Sequence, residues 1–260
     1  LVTECLKHDF RTIRIYSRNE YLQWLMRQEP QFQDERLRWM IGDIRDRERL
    51  QQCLKGIEYV IHTAALKHLP TGQYNPQEFI KTNILGSINI VDIACECGVS
   101  KVLGVSSDKA ITPCSLYGAT KQTMEFLFLD ANRRSMPNTR FSLFRPANFR
   151  ESHGNVFELW EKQIKTGTCT LTDEGMYRYF IDTQEAARIA LECLNDMQGG
   201  EIFVPKGMEE CSMIEILKGR HPDAKIKLIG NRDAERLREP LFADNEVNRI
   251  EEYEHYYVVR

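Results

Sequence analysis

The chain has no Cys-x-x-Cys pair, although it carries eight cysteines. Cys5, Cys53, Cys95, Cys97, Cys114, Cys169, Cys193 and Cys211 are scattered, as free thiols in a reducing cytosol are. Its six histidines are dispersed as well. His62 and His68 stand too far apart for one helical turn and lack a third ligand nearby, so no metal site is expected. No apolar run approaches the ~20 residues that cross a bilayer, and no signal-peptide pattern is visible. These absences argue against a membrane partner and for a cytoplasmic location. Charge of one sign is not in excess either. A total of 35 Lys and Arg against 38 Asp and Glu leaves a net charge of −3, which gives no general attraction to nucleic acid or anionic lipid. There is no internal repeat and no low-complexity segment. The most consequential absence is a glycine-rich G-x-G-x-x-G turn, which occurs nowhere.

What is present reads as a globular α/β protein. Hydrophobic residues make up 42% and charged residues 28% of 260, ordinary values for one large domain or a domain with a small lobe. Residues 12–16 alternate as a strand, and Leu22, Leu25 and Met26 mark the helix after it. Residues 37–41, 59–62, 101–105 and 140–144 read as further strands. Residues 47–55, 76–97 and 117–132 read as helices, the second with Pro near its start and Gly98 just past its end. Strands alternating with helices predict right-handed crossovers and a Rossmann-type, doubly wound parallel sheet. Residues 1–150 are expected to form the dinucleotide-binding domain. From 151 to 260 glycines punctuate shorter elements. A helix over 183–196 and strands over 201–204 and 225–229 predict a smaller substrate-binding lobe interleaved with the sheet. The charged run 235–239 is expected to be a solvated helix face. The chain opens on Leu1 rather than Met, and its first residues read as the end of a helix running into a strand. That strand would be the second of such a fold. The first strand and its Gly-rich turn are therefore expected to be missing from the chain.

In sheets of this kind ligands sit beyond the carboxyl ends of the strands. Arg18 follows the first visible strand, where an adenosine ribose is expected. A guanidinium there suits a 2′-phosphate, which favours NADP over NAD; a solvated loop arginine is the plainer alternative. Asp43, after the next strand, can accept from an adenine amino group or cap the following helix. Ala64 and Ala65 allow close approach of a cofactor, with Lys67 just beyond. Ser106, Ser107, Asp108 and Lys109 follow an apolar strand, and Tyr117 and Lys121 lie one helical turn apart on the next helix. A lysine cation beside a phenol favours the phenolate, which would make Tyr117 a base near neutral pH. Ser107 can hydrogen-bond a reacting hydroxyl. Asp108 can protonate a leaving hydroxyl, and a desolvated Lys109 can take an activated C–H proton; alone, the pair would read as a solvated turn. Arg145, Arg178 and Arg232 can each pair with a phosphate through their planar forks or lie on the surface.

Taken together these residues resemble the extended short-chain dehydrogenase/reductase superfamily. Within it they resemble the inverting UDP-N-acetylglucosamine 4,6-dehydratases of the polysaccharide biosynthesis protein family. The matching stretches include Tyr16-Ser17-Arg18-Asn19-Glu20, Gly42-Asp43-Ile44-Arg45-Asp46, Ala64-Ala65-Leu66-Lys67, Lys81-Thr82-Asn83, Ser107-Asp108-Lys109-Ala110 and Tyr117-Gly118-Ala119-Thr120-Lys121. The resemblance implies NADP as cofactor, a UDP-sugar as substrate and a homo-oligomer, at least a dimer. It implies that Tyr117, with Lys121 and Ser107, removes the 4-hydroxyl proton while the C4 hydride leaves. Lys109 would then take the C5 proton and Asp108 would protonate the departing 6-hydroxyl, giving a 4-keto-6-deoxy sugar with inversion at C5. Ser17, Arg18, Asn19, Asp43, Ile44, Ala64, Ala65, Lys67 and Ser106 would face the cofactor along with Tyr117 and Lys121. Lys67, Asn148, Arg178 and Arg232 would hold the substrate. Membrane-bound relatives carry Met where Tyr117 stands. A related NAD(P)-dependent epimerase or reductase, and a non-catalytic nucleotide-sugar-binding relative, are the rival readings.

Overall fold

Strand and helix alternate from the first residues. In the computed structural model, which describes residues 1–134, 138–152, 154–230 and 235–260, a short helix α1 (Val2–Cys5) leads into β1 (Ile13–Ser17), α2 (Glu20–Gln28), β2 (Leu37–Ile41), α3 (Arg47–Leu54) and β3 (Tyr59–His62). Next come α4 (Leu69–Tyr74), α5 (Pro76–Phe79), α6 (Gly86–Glu96), β4 (Lys101–Val105), α7 (Leu116–Arg133) and β5 (Arg140–Phe144). The rest is β6 (Asn148–Phe149), α8 (Val156–Gln163), β7 (Thr168–Leu171), β8 (Tyr177–Ile181), α9 (Thr183–Asp196), β9 (Ile202–Pro205), β10 (Glu209–Ser212), α10 (Met213–Arg220), β11 (Lys225–Leu228), β12 (Ile250–Glu252) and β13 (Tyr256–Val259). Side-chain caps set several helix starts. Asn19, Asp46, Ser115, Asn155, Asp182 and Ser212 each accept a first-turn N–H of the helix they precede, worth about 1 kcal/mol apiece.

The main sheet has the order β12-β13-β9-β5-β4-β3. Strands β3, β4, β5 and β9 are parallel, and β13 and β12 add antiparallel. Strands β1 and β2 form a separate parallel ladder. Neither β1 nor β3 has a second partner among the described residues, so the parallel array falls into two pieces. Arg14 of β1 donates to the carbonyls of Cys53 and Lys55 at the end of α3, and α3 packs on α6, which ties the pieces together.

Successive residues of a strand point to opposite faces, and both faces here are apolar. Val102, Phe141 and Leu143 pack with Leu50, Ile90 and Phe128 from α3, α6 and α7. Leu103 and Phe144 pack with Ile189, Cys193 and Leu194 of α9 on the other side. This is the doubly wound α/β arrangement expected from the alternation of elements. Gly104 is needed in β4, because a Cβ there would meet the Phe128 ring at 2.6 Å.

Three features differ from the sequence expectation. The helix over 76–97 is not uniform: a π-helical segment, Ile80–Leu85, joins α5 to α6. The second half is richer in strands than expected. A three-stranded sheet β10-β8-β6 and the β7–β11 pair surround a third apolar cluster centred on Phe157, Trp160, Phe180 and Leu217. The run 235–239 is not a helix. It is irregular chain with a bend at Leu237 and Arg238 beside β8, with the Leu237 carbonyl accepting from Tyr177 N at 2.8 Å, and Glu239 is buried. Pro240 disfavours helix at the residue before it, and β8 supplies a partner for the backbone. Among the described residues no helix is long and apolar enough to cross a membrane.

Candidate active site

Beyond β4 the chain turns through Ser106 and Ser107 into one 3-10 turn, Asp108–Ala110. Ser107 Oγ donates to Asp108 Oδ1 at 2.8 Å and accepts from Lys109 N at 3.3 Å. Lys109 Nζ donates to Asp108 Oδ1 at 3.1 Å and to Asn148 Oδ1 at 3.2 Å. The Asn148 amide is oriented by its own donation to the Tyr179 carbonyl at 3.0 Å. Asp108 is 1% exposed, and its second oxygen, Oδ2, is buried without a partner among the described residues. A buried acceptor left open in this way is uncommon in a finished structure and marks a place for a ligand donor.

The loop to α7 carries Thr112 at φ 40°, unusual for a β-branched residue. Arg236 holds it there, donating to Thr112 Oγ1 at 3.1 Å and to the Thr112 carbonyl. Ser115 then caps α7, accepting from Gly118 N at 3.0 Å, with Tyr117 in the first turn. Gly118 lets the two turns touch. A Cβ at this position would lie 2.2 Å from the Lys109 carbonyl oxygen. Lys109 and Tyr117 consequently line one cavity of about 550 Å³, shared with Ser107, Lys67, Arg178 and Glu239. That volume is typical of a small-molecule site.

Lys121 does not lower the Tyr117 phenol as expected. Its ammonium, 3% exposed, donates to the Val105 carbonyl at 2.6 Å. Burial pushes it down to about 8, with Glu125 opposing. Burial and then the Asp108 charge push the Tyr117 phenol up, against a hydrogen bond with Ser107. The phenol as it stands keeps its proton at neutral pH, and only a further positive charge nearby would change that.

Arg145 is also placed differently from the phosphate-binding expectation. It is buried, with Nε and Nη2 on Glu125 at 2.9 and 2.8 Å and Nη1 and Nη2 on Glu246 at 2.8 Å each. Burial opposes its charge, and the bonds to Glu246 and Glu125 more than offset that, holding the guanidinium well above its ordinary value. Ser106, expected at a cofactor, borders the cavity but its hydroxyl donates to Glu125 at 2.6 Å.

The residues expected near an adenosine gather at the ends of β1 and β2. The Arg18 guanidinium is 48% exposed, and Nη1 lies 3.7 Å from Asp43. Asp43 Oδ2 accepts from Arg45 at 2.9 and 2.7 Å. Burial opposes and Arg45 outweighs it, holding this carboxyl below the usual range. Asp46 rather than Asp43 caps α3. Ser17 Oγ accepts from Gln23 at 2.8 Å, and Asn19 caps α2. Ile44 departs from the expectation. Its side chain is buried in the core, filling the space a Cβ on Gly86 would need, and its carbonyl accepts from Asn89 at 2.9 Å.

Ala64 and Ala65 lie half-buried after β3, and Lys67 is exposed at the cavity rim. Burial of the Lys67 ammonium lowers it, with Glu158 opposing and Lys109 adding. Arg178 is buried and donates to the carbonyls of Tyr177 and Leu237 at 2.7 and 3.0 Å. Arg232 lies outside the described residues. Among the described residues no group of three or more His, Cys, Asp or Glu could hold a metal ion.

Sequence reasoning gave no role to Asn83. Its amide brackets Leu66, accepting from Leu66 N at 2.8 Å and donating to Leu66 O at 2.9 Å, and also donates to Thr120 Oγ1 at 2.9 Å. It ties the loop after β3 to α7. The signal available was its place in Lys81-Thr82-Asn83, one of the stretches that carry the family resemblance. Glu125, Glu239 and Glu246 were missed too, and each is a carboxylate whose burial depends on distant chain.

The family pattern described as "Polysaccharide biosynthesis protein" matches residues 1–260. The inverting UDP-N-acetylglucosamine 4,6-dehydratase of Campylobacter jejuni subsp. jejuni is 38% identical over 250 residues, covering 95% of this chain and 74% of that protein. The UDP-glucose 4-epimerase of Rickettsia canadensis is 34% identical over 257 residues, covering 96% and 74%. Among solved structures, Pen from Bacillus thuringiensis superposes with a TM-score of 0.92 at 33% identity, over 99% of this chain and 82% of its own. With a match from end to end and a shared fold, this chain belongs to the polysaccharide biosynthesis protein family.

Proposed function

We propose that the protein is an NADP-dependent sugar-nucleotide 4,6-dehydratase acting on UDP-N-acetylglucosamine, with inversion at C5, for surface polysaccharide or glycan synthesis. The observation that carries this reading is that Lys109 and Asn148 line the same cavity as Tyr117, with the buried Asp108 bonded to Lys109. Moving a hydride needs only the tyrosine and its helpers, whereas elimination needs a second acid and a second base.

Arg18, exposed and 3.7 Å from Asp43, would hold a 2′-phosphate, and Ala64 and Ala65 leave room beside β3. When bound, oxidised NADP supplies the hydride acceptor and a positive charge near Tyr117. Tyr117 then takes the 4-hydroxyl proton, with Ser107 in reach of the same oxygen. The 4-ketone acidifies the C5 hydrogen. Lys109 and Asp108 share a 3.1 Å hydrogen bond, and moving its proton to the carboxylate leaves an amine base and a carboxylic acid side by side. The amine removes the C5 proton and the acid protonates the leaving 6-hydroxyl. Hydride would return to C6, and a proton from solvent would add to the opposite face of C5, balanced by release to solvent of the proton Tyr117 took. Lys67, Asn148 and Arg178 would position the sugar nucleotide, and Arg232 is proposed from its sequence position alone. Exposed Ile80, Leu85 and Phe126 on neighbouring helical segments support a homodimer. The lack of any disulfide among the described residues' cysteines supports a cytoplasmic setting.

Incubating the full-length protein with UDP-N-acetylglucosamine and NADP tests the reading by mass. Loss of one water with a trappable 4-ketone is expected. A C4 epimer of unchanged mass would instead favour the epimerase reading, which the Rickettsia relative supports.

The Lys121 ammonium gives a pH prediction. With its value lowered to about 8, the charged form is present below that pH and lost above it, so turnover should fall as pH rises through about 8. Stability should move the other way. The unfolded lysine holds its proton to about 10.4, so the unfolded state binds more protons over that interval and unfolding free energy rises. Turnover that stays flat to about pH 10 would show that the Lys121 charge is not needed.

A further inference from the structure

Glu239 is the carboxyl that the reaction just described leaves unused. It is 7% exposed and borders the cavity that holds Lys109 and Tyr117. It makes no hydrogen bond or ion pair with any described residue. The groups whose charges reach it are Lys109, Asp108, Arg178 and Arg236. Each has its own partner. Lys109 is on Asp108 and Asn148, Arg178 is on the Tyr177 and Leu237 carbonyls, and Arg236 is on Thr112.

The backbone around Glu239 is nevertheless fixed. The Leu237 carbonyl accepts from Tyr177 N at 2.8 Å and from Arg178 at 3.0 Å, and Arg236 anchors the segment to the loop before α7. A carboxyl anchored just upstream at Arg236 and Leu237, largely buried and without a hydrogen-bond partner among the described residues, is only partly solvated. Burial raises its proton affinity, with Lys109 opposing and Asp108 adding. Such a group is preorganised for a donor that arrives with a ligand. The proximity of Lys109 and Asp108 places that donor at the sugar end rather than the nucleotide end.

We propose that Glu239 is a substrate-positioning residue that accepts hydrogen bonds from hydroxyl or acetamido N–H donors of the sugar in the cavity it shares with Lys109. This rests on the sugar-nucleotide reading above. It adds a residue that discriminates UDP-sugar from UDP.

The test is calorimetric titration of full-length wild type, Glu239→Gln and Glu239→Leu with UDP and with UDP-N-acetylglucosamine, alongside thermal melts. Glu239→Leu should weaken UDP-N-acetylglucosamine roughly ten- to hundredfold, the range of one hydrogen bond to a charged group. Glu239→Gln, which keeps one acceptor, should weaken it less. UDP affinity should be unchanged, and Tm unchanged or raised, because a partnerless carboxyl is being removed. Unchanged affinity for the sugar nucleotide, an equal loss for both ligands, or a lowered Tm would each overturn the proposal. A wild type that binds neither ligand overturns the proposal together with the functional reading. A wild type that binds the sugar nucleotide but forms no ketone overturns the reading alone, and the Glu239 comparison still decides the proposal.

Discussion

Lys109→Ala is expected to cut dehydration by roughly 10²- to 10⁴-fold, the usual range for removing a positioned acid–base group, while oxidation at C4 survives. In the proposed reaction the two halves would use different residues. Tyr117, Lys121 and Ser107 would serve the hydride step, and none of them depends on the Lys109 side chain for its hydrogen bonds. Lys109 instead bonds Asn148 and Asp108, the latter the acid proposed for the departing hydroxyl. Its loss should leave the sugar oxidised but not dehydrated, so reduced cofactor accumulates and is read by its absorbance. Exchange of the C5 hydrogen with solvent deuterium should stop as well. A melt controls for folding, since the Lys109 side chain is partly exposed and its removal leaves Asp108 still bonded to Ser107. Dehydration at the wild-type rate would remove Lys109 from the mechanism.

The parts of this site legible in the sequence were those set by short-range rules. Strands alternating with helices signalled a doubly wound parallel sheet, and ligands beyond strand ends followed from that. Tyr117 and Lys121 were found by helical spacing, and Ser107, Asp108 and Lys109 by their place just after β4. What the sequence could not show was which partner each charged group takes. Lys121 reaches back to the Val105 carbonyl rather than forward to the phenol. Arg145 looked like a phosphate ligand because its two carboxylates are 20 and 101 residues away. The run 235–239 looked like a solvated helix because the strand that captures its backbone, β8, lies far upstream. Ile44 followed the same motif as Asp43, yet the missing side chain of Gly86 drew it into the core.

Arg145→Met should be the most destabilising single change near the site. It would leave Glu125 and Glu246, each buried, facing one another with no cation between them. Removing one partner of a buried ion pair costs about 3–5 kcal/mol, which for a chain of this size is a fall in Tm of roughly 10 °C. The cause can be separated from lost packing by neutralising the carboxylates too. Replacing a whole buried ionic group by apolar residues of similar size is often neutral or better, so Arg145→Met combined with Glu125→Leu and Glu246→Leu should recover most of the lost Tm. Turnover should not recover with it. Glu125 stands one helical turn from Lys121 and is the charge opposing its desolvation. Without Glu125 the Lys121 ammonium loses its proton at still lower pH, so the triple variant should be folded yet nearly inactive at neutral pH. Its residual activity should shift to more acid pH. A triple variant as unstable as Arg145→Met would mean that the arginine acts through packing rather than charge. One that regained full turnover with an unshifted pH profile would show that Glu125 has no hold on Lys121.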